Sequence, residues 1–207
     1  MYQSTGKRLQ KSFYTRTDVL QVSKDLLGKV LVTNFENQLT AGKIVETEAY
    51  RTPDDKACHA YPNKLTARTK VMFEEGGVAY VYLCYGIHHL FNVVTAQKDM
   101  AHAVLIRAIE PLDNIELMLA RRNKSKVSRQ LTGGPGVMSK ALGITKQLTG
   151  VTLLEKNSPI WIEDRGFLVR EKEIIASPRV GVDYAEECAL WDWRFRIKDS
   201  KWTSPAK

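Results

Sequence analysis

The residues able to do chemistry fall into a few short blocks. Residues 46–50 read Glu-Thr-Glu-Ala-Tyr, and three tyrosines follow in Ala79-Tyr-Val-Tyr-Leu-Cys-Tyr-Gly86. Flat aromatic side chains can hold a flat ring, and a carboxylate beside them can ready a water for attack. The chain of 207 residues carries 31 Lys and Arg against 23 Asp and Glu, a net charge of +8. That balance suits a polyanionic partner, and plain solubility equally well. Together the blocks point to a nucleobase as the ring and to chemistry on nucleic acid.

Strand side chains alternate between faces, so Glu46, Glu48 and Tyr50 should share one face, the carboxylates about 6.5 Å apart at Cα. Three readings of the pair stay open. It is a solvated or salt-bridged strand face, an inverting O-glycosidase pair, or one carboxylate that orients a water and stabilises a cationic sugar. Groups pointing the same way flank a glycosidic bond poorly. Tyr80 and Tyr82 also share a face, where such rings ordinarily fill half-buried positions. Tyr85 precedes Gly86, so it stands at a turn, from which a ring can protrude as a wedge between base steps. His59 alone is an ordinary loop histidine and gains meaning only beside the tyrosines. Arg107 lies among Val104, Leu105, Ile106 and Ala108. An arginine in such a strand wants a carboxylate, and Glu46 or Glu48 is the expected partner.

These blocks need elements to position them. Thr17-Asp18 offers a helix cap, the apolar spacing through Leu27 a helix, and Gly28 a stop. Residues 29–35 and 39–50 alternate as a hairpin around Glu36-Asn-Gln38. Residues 51–70 form a long polar loop carrying His59, a length that is usually functional inside a compact domain. Strands are expected at 78–85, 89–95, 103–109, 159–162, 167–169, 173–176 and 194–197. Helices are expected at 112–122 and from Thr132-Gly-Gly-Pro-Gly136 through Leu142. That glycine block could turn backbone amides toward a phosphate, though Gly and Pro also mark a plain helix entry. Residues 124–129 are a basic solvated stretch. Residues 1–16 read as a basic, poorly periodic N-terminal arm, followed by one mixed α/β domain over 17–207.

Cys58, Cys84 and Cys188 are odd in number and widely spaced, which indicates neither a disulfide framework nor a zinc motif. A reducing compartment, the cytoplasm, is expected. His59, His88, His89 and His102 make no ligand-spaced cluster, so no metal is expected. Neither a signal peptide nor a bilayer-spanning run is recognisable. The absence of GxSxG and GxGxxG patterns argues against a hydrolase elbow or a dinucleotide site.

Ile44-Val-Glu-Thr-Glu-Ala-Tyr50, His59, Tyr80-Val-Tyr-Leu-Cys-Tyr-Gly86, Asn92 and Leu105-Ile-Arg-Ala-Ile-Glu-Pro111 occur in this order and spacing. Together they resemble the alkyladenine (3-methyladenine) DNA glycosylase family. Gly134-Pro-Gly and Arg179-Val-Gly-Val182 match later family segments, so the resemblance covers residues 12–200. It implies an α+β single domain with a curved, mostly antiparallel sheet flanked by helices. It implies action on double-stranded DNA containing damaged purines, leaving an abasic site; a monomer is the default expectation, and no cofactor is expected. By the match, Glu48 is the general base, and Arg107 and the Val180 carbonyl help place the water. Tyr50, His59 and Tyr82 sandwich the extruded base, Asn92 disfavours the guanine amino group, and Tyr85 fills the gap in the duplex. Glu46 matches a family position without a chemical role. Arg68, Lys70 and residues 124–129 are candidate phosphate contacts. The matched motifs hold no catalytic lysine, so a monofunctional enzyme without strand cleavage is expected, located with the cellular DNA. The competing readings are a non-catalytic binder of damaged or bent DNA and a hydrolase of free nucleosides or carbohydrates.

Overall fold

A computed structural model describes residues 6–204. The chain opens with a two-residue strand, β1 (Lys7–Arg8), and a one-turn helix, α1 (Lys11–Tyr14). In α2 (Val19–Asp25) the Asp18 carboxylate accepts from the amides of Leu20 and Gln21 at 3.1 and 3.0 Å, which satisfies two orphan donors of the first turn. The chain then turns at Gly28, whose φ is +83° and where a Cβ would meet the Phe167 carbonyl at 2.7 Å. The hairpin of β2 (Val30–Phe35) and β3 (Gln38–Tyr50) closes through Glu36 and Asn37, both left-handed. That turn geometry matches the twist of the paired strands.

The remaining strands are β4 (Ala79–Cys84), β5 (His88–Thr95), β6 (His102–Asp113), β7 (Ile160–Asp164), β8 (Ile174–Ser177) and β9 (Arg194–Ile197). Helices α3 (Ile115–Arg122) and α4 (Pro135–Leu142) lie between β6 and β7. All nine strands of the described residues join one open antiparallel sheet, with β1-β7-β2-β3-β6-β5-β4 in order and β8 and β9 off that path. The long β3 pairs with β2 over its first part and with β9 at Glu46–Glu48, and β8 pairs with β9. The expected α+β single domain is therefore the observed one.

Alternation assigns the two faces of the sheet. Ala49, Val104, Ile106, Phe91, Val93 and Val81 belong to the main core, which α2, α3 and α4 help to fill. Thr47 faces the same side, its hydroxyl donating to the Ser23 carbonyl of α2 at 3.0 Å. The opposite face carries Glu48, Tyr50, Leu105, Asn92 and Tyr82. Residues 51–69 form the expected loop, and it is packed down. Its Cys58 and Ala60 are buried with Val71, Met72, Tyr80 and Ala103 in a second apolar cluster.

The ladder between β3 and β6 is irregular around Glu46. Register shifts between Ile44 and Glu46, and again between Glu46 and Thr47, leave Val45 and Arg107 outside the paired positions. Ile44, Ile106 and Ile109 stay in the main core, whereas Val45 and Ala108 pack on Trp202. Such bulges re-aim side chains. Here they bring Glu46 and Arg107 into contact.

Three sequence expectations need correction. The arm is not separate over its described part: Lys7 and Arg8 pair with Asp164 and Glu163, and Tyr14 is fully buried in the core. Elements of two and four residues are too short to show periodicity, and tertiary burial defines them. Residues 1–5 of the expected arm lie outside the described residues. No strand forms at 167–169, where Leu168 is exposed and the Phe167 carbonyl is packed against Gly28. The helix expected from Leu112 begins at Ile115, because β6 runs on through Pro111 to Asp113.

Candidate active site

Glu48 is fully buried on the open face of β3. Its Oε1 accepts from the Val180 amide at 2.8 Å and lies 3.2 Å from Arg107 Nη1. Its Oε2 accepts from the Tyr50 hydroxyl at 2.8 Å. Burial, and next the Glu48 charge, push the Tyr50 hydroxyl well above its ordinary range, so it stays a proton donor to the carboxylate. Burial opposes the charge on Arg107, but Glu48 and Glu46 outweigh it and hold its pKa above the ordinary value.

The carboxylate stands in the wall of a cavity of about 420 Å³, whose lining includes Glu48, Tyr50, His59, Tyr82, Tyr85, Asn92, Arg107 and Val180. That volume is within the range of about 300–1,000 Å³ typical of small-molecule sites. His59 and Tyr82 meet edge to face with centroids 4.6 Å apart. His59 Nδ1 is 2.8 Å from the Tyr80 hydroxyl. Burial first, and the nearby Arg68 charge second, push His59 down to about 4, so the ring is neutral at neutral pH. The Tyr50 ring, also in the lining, is backed by Arg179, whose Cζ lies 4.7 Å from its centroid and 5.2 Å from that of Trp193.

Asn92 is held from behind. Its Nδ2 donates to the carbonyls of Tyr80 and Leu90 at 3.1 and 3.3 Å, which leaves the Oδ1 acceptor for the cavity. Tyr85 occupies the turn between β4 and β5, where the Ile87 amide donates to the Cys84 carbonyl. Tyr85 and Gly86 both have positive φ, and the Tyr85 ring is 89% exposed at the mouth of the cavity.

The family model for methylpurine-DNA glycosylase matches residues 12–201. The chain belongs to the methylpurine-DNA glycosylase family. It is accordingly a DNA glycosylase, a hydrolase of base excision repair. It is 46% identical over 205 residues to a Clostridium novyi (strain NT) protein, covering 96% of this chain and 98% of the other. It is 48% identical over 191 residues to a Chlamydia abortus (strain DSM 27085 / S26/3) protein, covering 91% and 97%. Both relatives carry the name "Putative 3-methyladenine DNA glycosylase".

Several residues that shape this candidate site were not legible in the sequence. Arg179 and Asp55 form a buried, two-pronged ion pair at 2.6 and 2.7 Å, and Arg179 also donates to the Ala49 carbonyl at 2.9 Å. This fastens the segment that carries Val180 to β3. Val180 was expected to contribute its carbonyl, and its amide is what meets Glu48. Residues 133–137 and Tyr184 complete the cavity rim. The glycine block thus served a helix entry and a site boundary at once. Its Gly136 leaves room for His88, whose ring a Cβ would meet at 2.8 Å. Arg68 is exposed at the mouth, with Cζ 5.3 Å from the Tyr82 centroid and Nη2 3.1 Å from His59 Nε2, and Lys70 is exposed nearby in the chain.

Proposed function

We propose that the glycosylase swings damaged purines out of duplex DNA into this cavity and hydrolyses their N-glycosidic bond with a water activated by Glu48. The substrate class is 3-methyladenine, 7-methylguanine, hypoxanthine and ethenoadenine. One arrangement carries the reading: a fully buried carboxylate in the wall of a cavity that Tyr50, His59 and Tyr82 also line. A base within the duplex hides its glycosidic bond, so the nucleotide has to leave the stack. Stacking on aromatic faces returns about 1–3 kcal/mol per base. A cationic alkylated purine gains a further cation–π attraction. Tyr85 occupies the vacated gap, and Asn92 stands against the guanine amino group.

A carboxylate offers about four acceptor sites. The Val180 amide donates to Oε1, with Arg107 ion-paired beside it, and Tyr50 donates to Oε2, which keeps an acceptor site for water. As the C1′–N bond breaks, its electron pair leaves with the purine and positive charge builds on the sugar. Glu48 stabilises that charge and takes the proton of the water whose oxygen bonds to C1′. With Glu48 and Arg107, the Val180 carbonyl is the third contact to that water. The chemistry calls for neither metal nor cofactor, and without an amine nucleophile it is monofunctional. Arg68 and Lys70 contact phosphates, Arg68 after leaving the mouth. The glycosylase acts as a monomer in this reading. A passive DNA binder would have no use for a buried carboxylate fixed by two hydrogen bonds and an ion pair.

The test is a duplex with a single hypoxanthine or ethenoadenine, treated with enzyme and then with alkali. Wild type is expected to yield a strand break only after alkali, and Glu48→Gln to bind without producing it. A break without alkali, a borohydride-trapped adduct, or full activity in Glu48→Gln would overturn the reading.

A further inference from the structure

Glu46 lies outside the cavity lining, yet it is the most heavily bonded carboxylate in the described residues around the site. It is fully buried. Its Oε1 accepts from Arg107 Nε at 2.8 Å, Arg194 Nε at 2.7 Å and the Ser204 hydroxyl at 2.7 Å. Its Oε2 accepts from the Ser204 amide. Burial opposes the charged form, but Arg107, the Ser204 amide and Arg194 together hold the carboxyl below its usual range. Ser204 reaches the same guanidinium, with its hydroxyl 3.2 Å from Arg107 Nη2. Two carboxylates and two arginines thus balance in one buried cluster.

The geometry points to Glu46, braced by Arg194 and Ser204, as the positioning residue for Arg107. This rests on the proposed hydrolysis at Glu48. A free guanidinium meets a carboxylate in a two-pronged fork, engaging both oxygens. Glu46 takes the Nε of Arg107 and Ser204 takes Nη2, so that only Nη1 faces Glu48, at one oxygen. Glu48 Oε2 stays out of the fork, and that is the oxygen left to receive the water. The C-terminal segment that carries Ser204 therefore shapes the reaction without touching the base cavity. The bulges in β3 and β6 have the same purpose, since they bring Glu46 and Arg107 together from adjacent strands.

The test uses the full chain with Ser204→Ala, Ser204→Thr and Glu46→Gln. Two quantities are measured on a hypoxanthine duplex: the single-turnover rate of base release and the dissociation constant. Displacement of a catalytic group by a fraction of an ångström to one ångström lowers rates about 10-fold to 100-fold. Ser204→Ala is expected to slow release about tenfold with the dissociation constant within about twofold of wild type, and Glu46→Gln to slow it further. Ser204→Thr, which keeps the hydroxyl, should restore the rate. Thermal melts identify any variant that fails to fold, in which case the Ser204 pair carries the test. Wild-type rates in folded Ser204→Ala and Glu46→Gln overturn the proposal, as does a loss of binding equal to the loss of rate. An inactive wild type, or an active Glu48→Gln, would instead sink the hydrolysis reading. Activity that depends on Glu48 and ignores Glu46 and Ser204 sinks this proposal alone.

Discussion

Tyr50 belongs to two structures at once, the cavity wall proposed to hold the base and the donor that fixes Glu48 Oε2. Tyr50→Phe separates them. The ring and its stacking persist, while the carboxylate loses a hydrogen bond of the charge-assisted kind, worth about 1.5–3 kcal/mol. Base release should slow about tenfold or more, with binding of ethenoadenine DNA little changed. Single-turnover kinetics beside a fluorescence titration of the ethenoadenine would show it, and equal losses in both would refute the separation. His59 makes a pH prediction. Its folded value of about 4 lies below the ordinary 6.5, so between these limits the unfolded chain binds more protons than the folded one. Its contribution is intact above about pH 6.5 and is lost as pH falls toward 4. His59→Gln should therefore show a shallower drop in melting temperature than wild type across that window, read by scanning fluorimetry.

At the level of elements, the site is assembled by segments far apart in the chain, and the Asp55–Arg179 pair joins two of them. Both side chains are fully enclosed. Removing one partner of a buried pair leaves the other charge uncompensated, at a cost of about 3–5 kcal/mol. Asp55→Asn should lose about that much stability in urea melts, and Asp55→Leu with Arg179→Met should recover part of it. If Asp55→Asn melts like wild type, the pair does not fasten the Val180 segment. This contact also shows where the sequence stops being informative. The Asp18 cap, the β2–β3 hairpin and the Tyr85 turn were legible because each depends on neighbours within a few residues. The shared face of Glu48 and Tyr50 followed from alternation along one strand. Arg107 asked for a carboxylate and received two, because bulges that no local pattern announces bring Glu46 to it as well. The pairing of Arg179 with Asp55 and the closure of Glu46 by Ser204 span more than a hundred residues, and nothing in composition or periodicity records them. Strand 167–169 failed for the converse reason: its residues have strand propensity, but the sheet offers them no partner.

For the whole molecule, the +8 charge has to be tested on DNA and not inferred from solubility. Phosphate neutralisation makes the logarithm of affinity fall linearly with the logarithm of salt, with a slope of about −0.9 for each contact. Titrations from 50 to 200 mM salt should show a steep fall, and Lys70→Ala should make it shallower by about one. An unchanged slope would take Lys70 off the backbone. The single open sheet explains how such a surface coexists with a buried ionic cluster. One face belongs to the helices and the apolar core, so the other is available for the cavity, the protruding turn and the loop. The stack of Tyr50, Arg179 and Trp193 crosses from that cavity to an indole pair, Trp191 and Trp193, with centroids 4.5 Å apart. In the proposed complex a ring settling on Tyr50 would alter the electrostatic surroundings of those indoles, so unlabelled lesion DNA should register as a change in tryptophan emission, a built-in optical gauge.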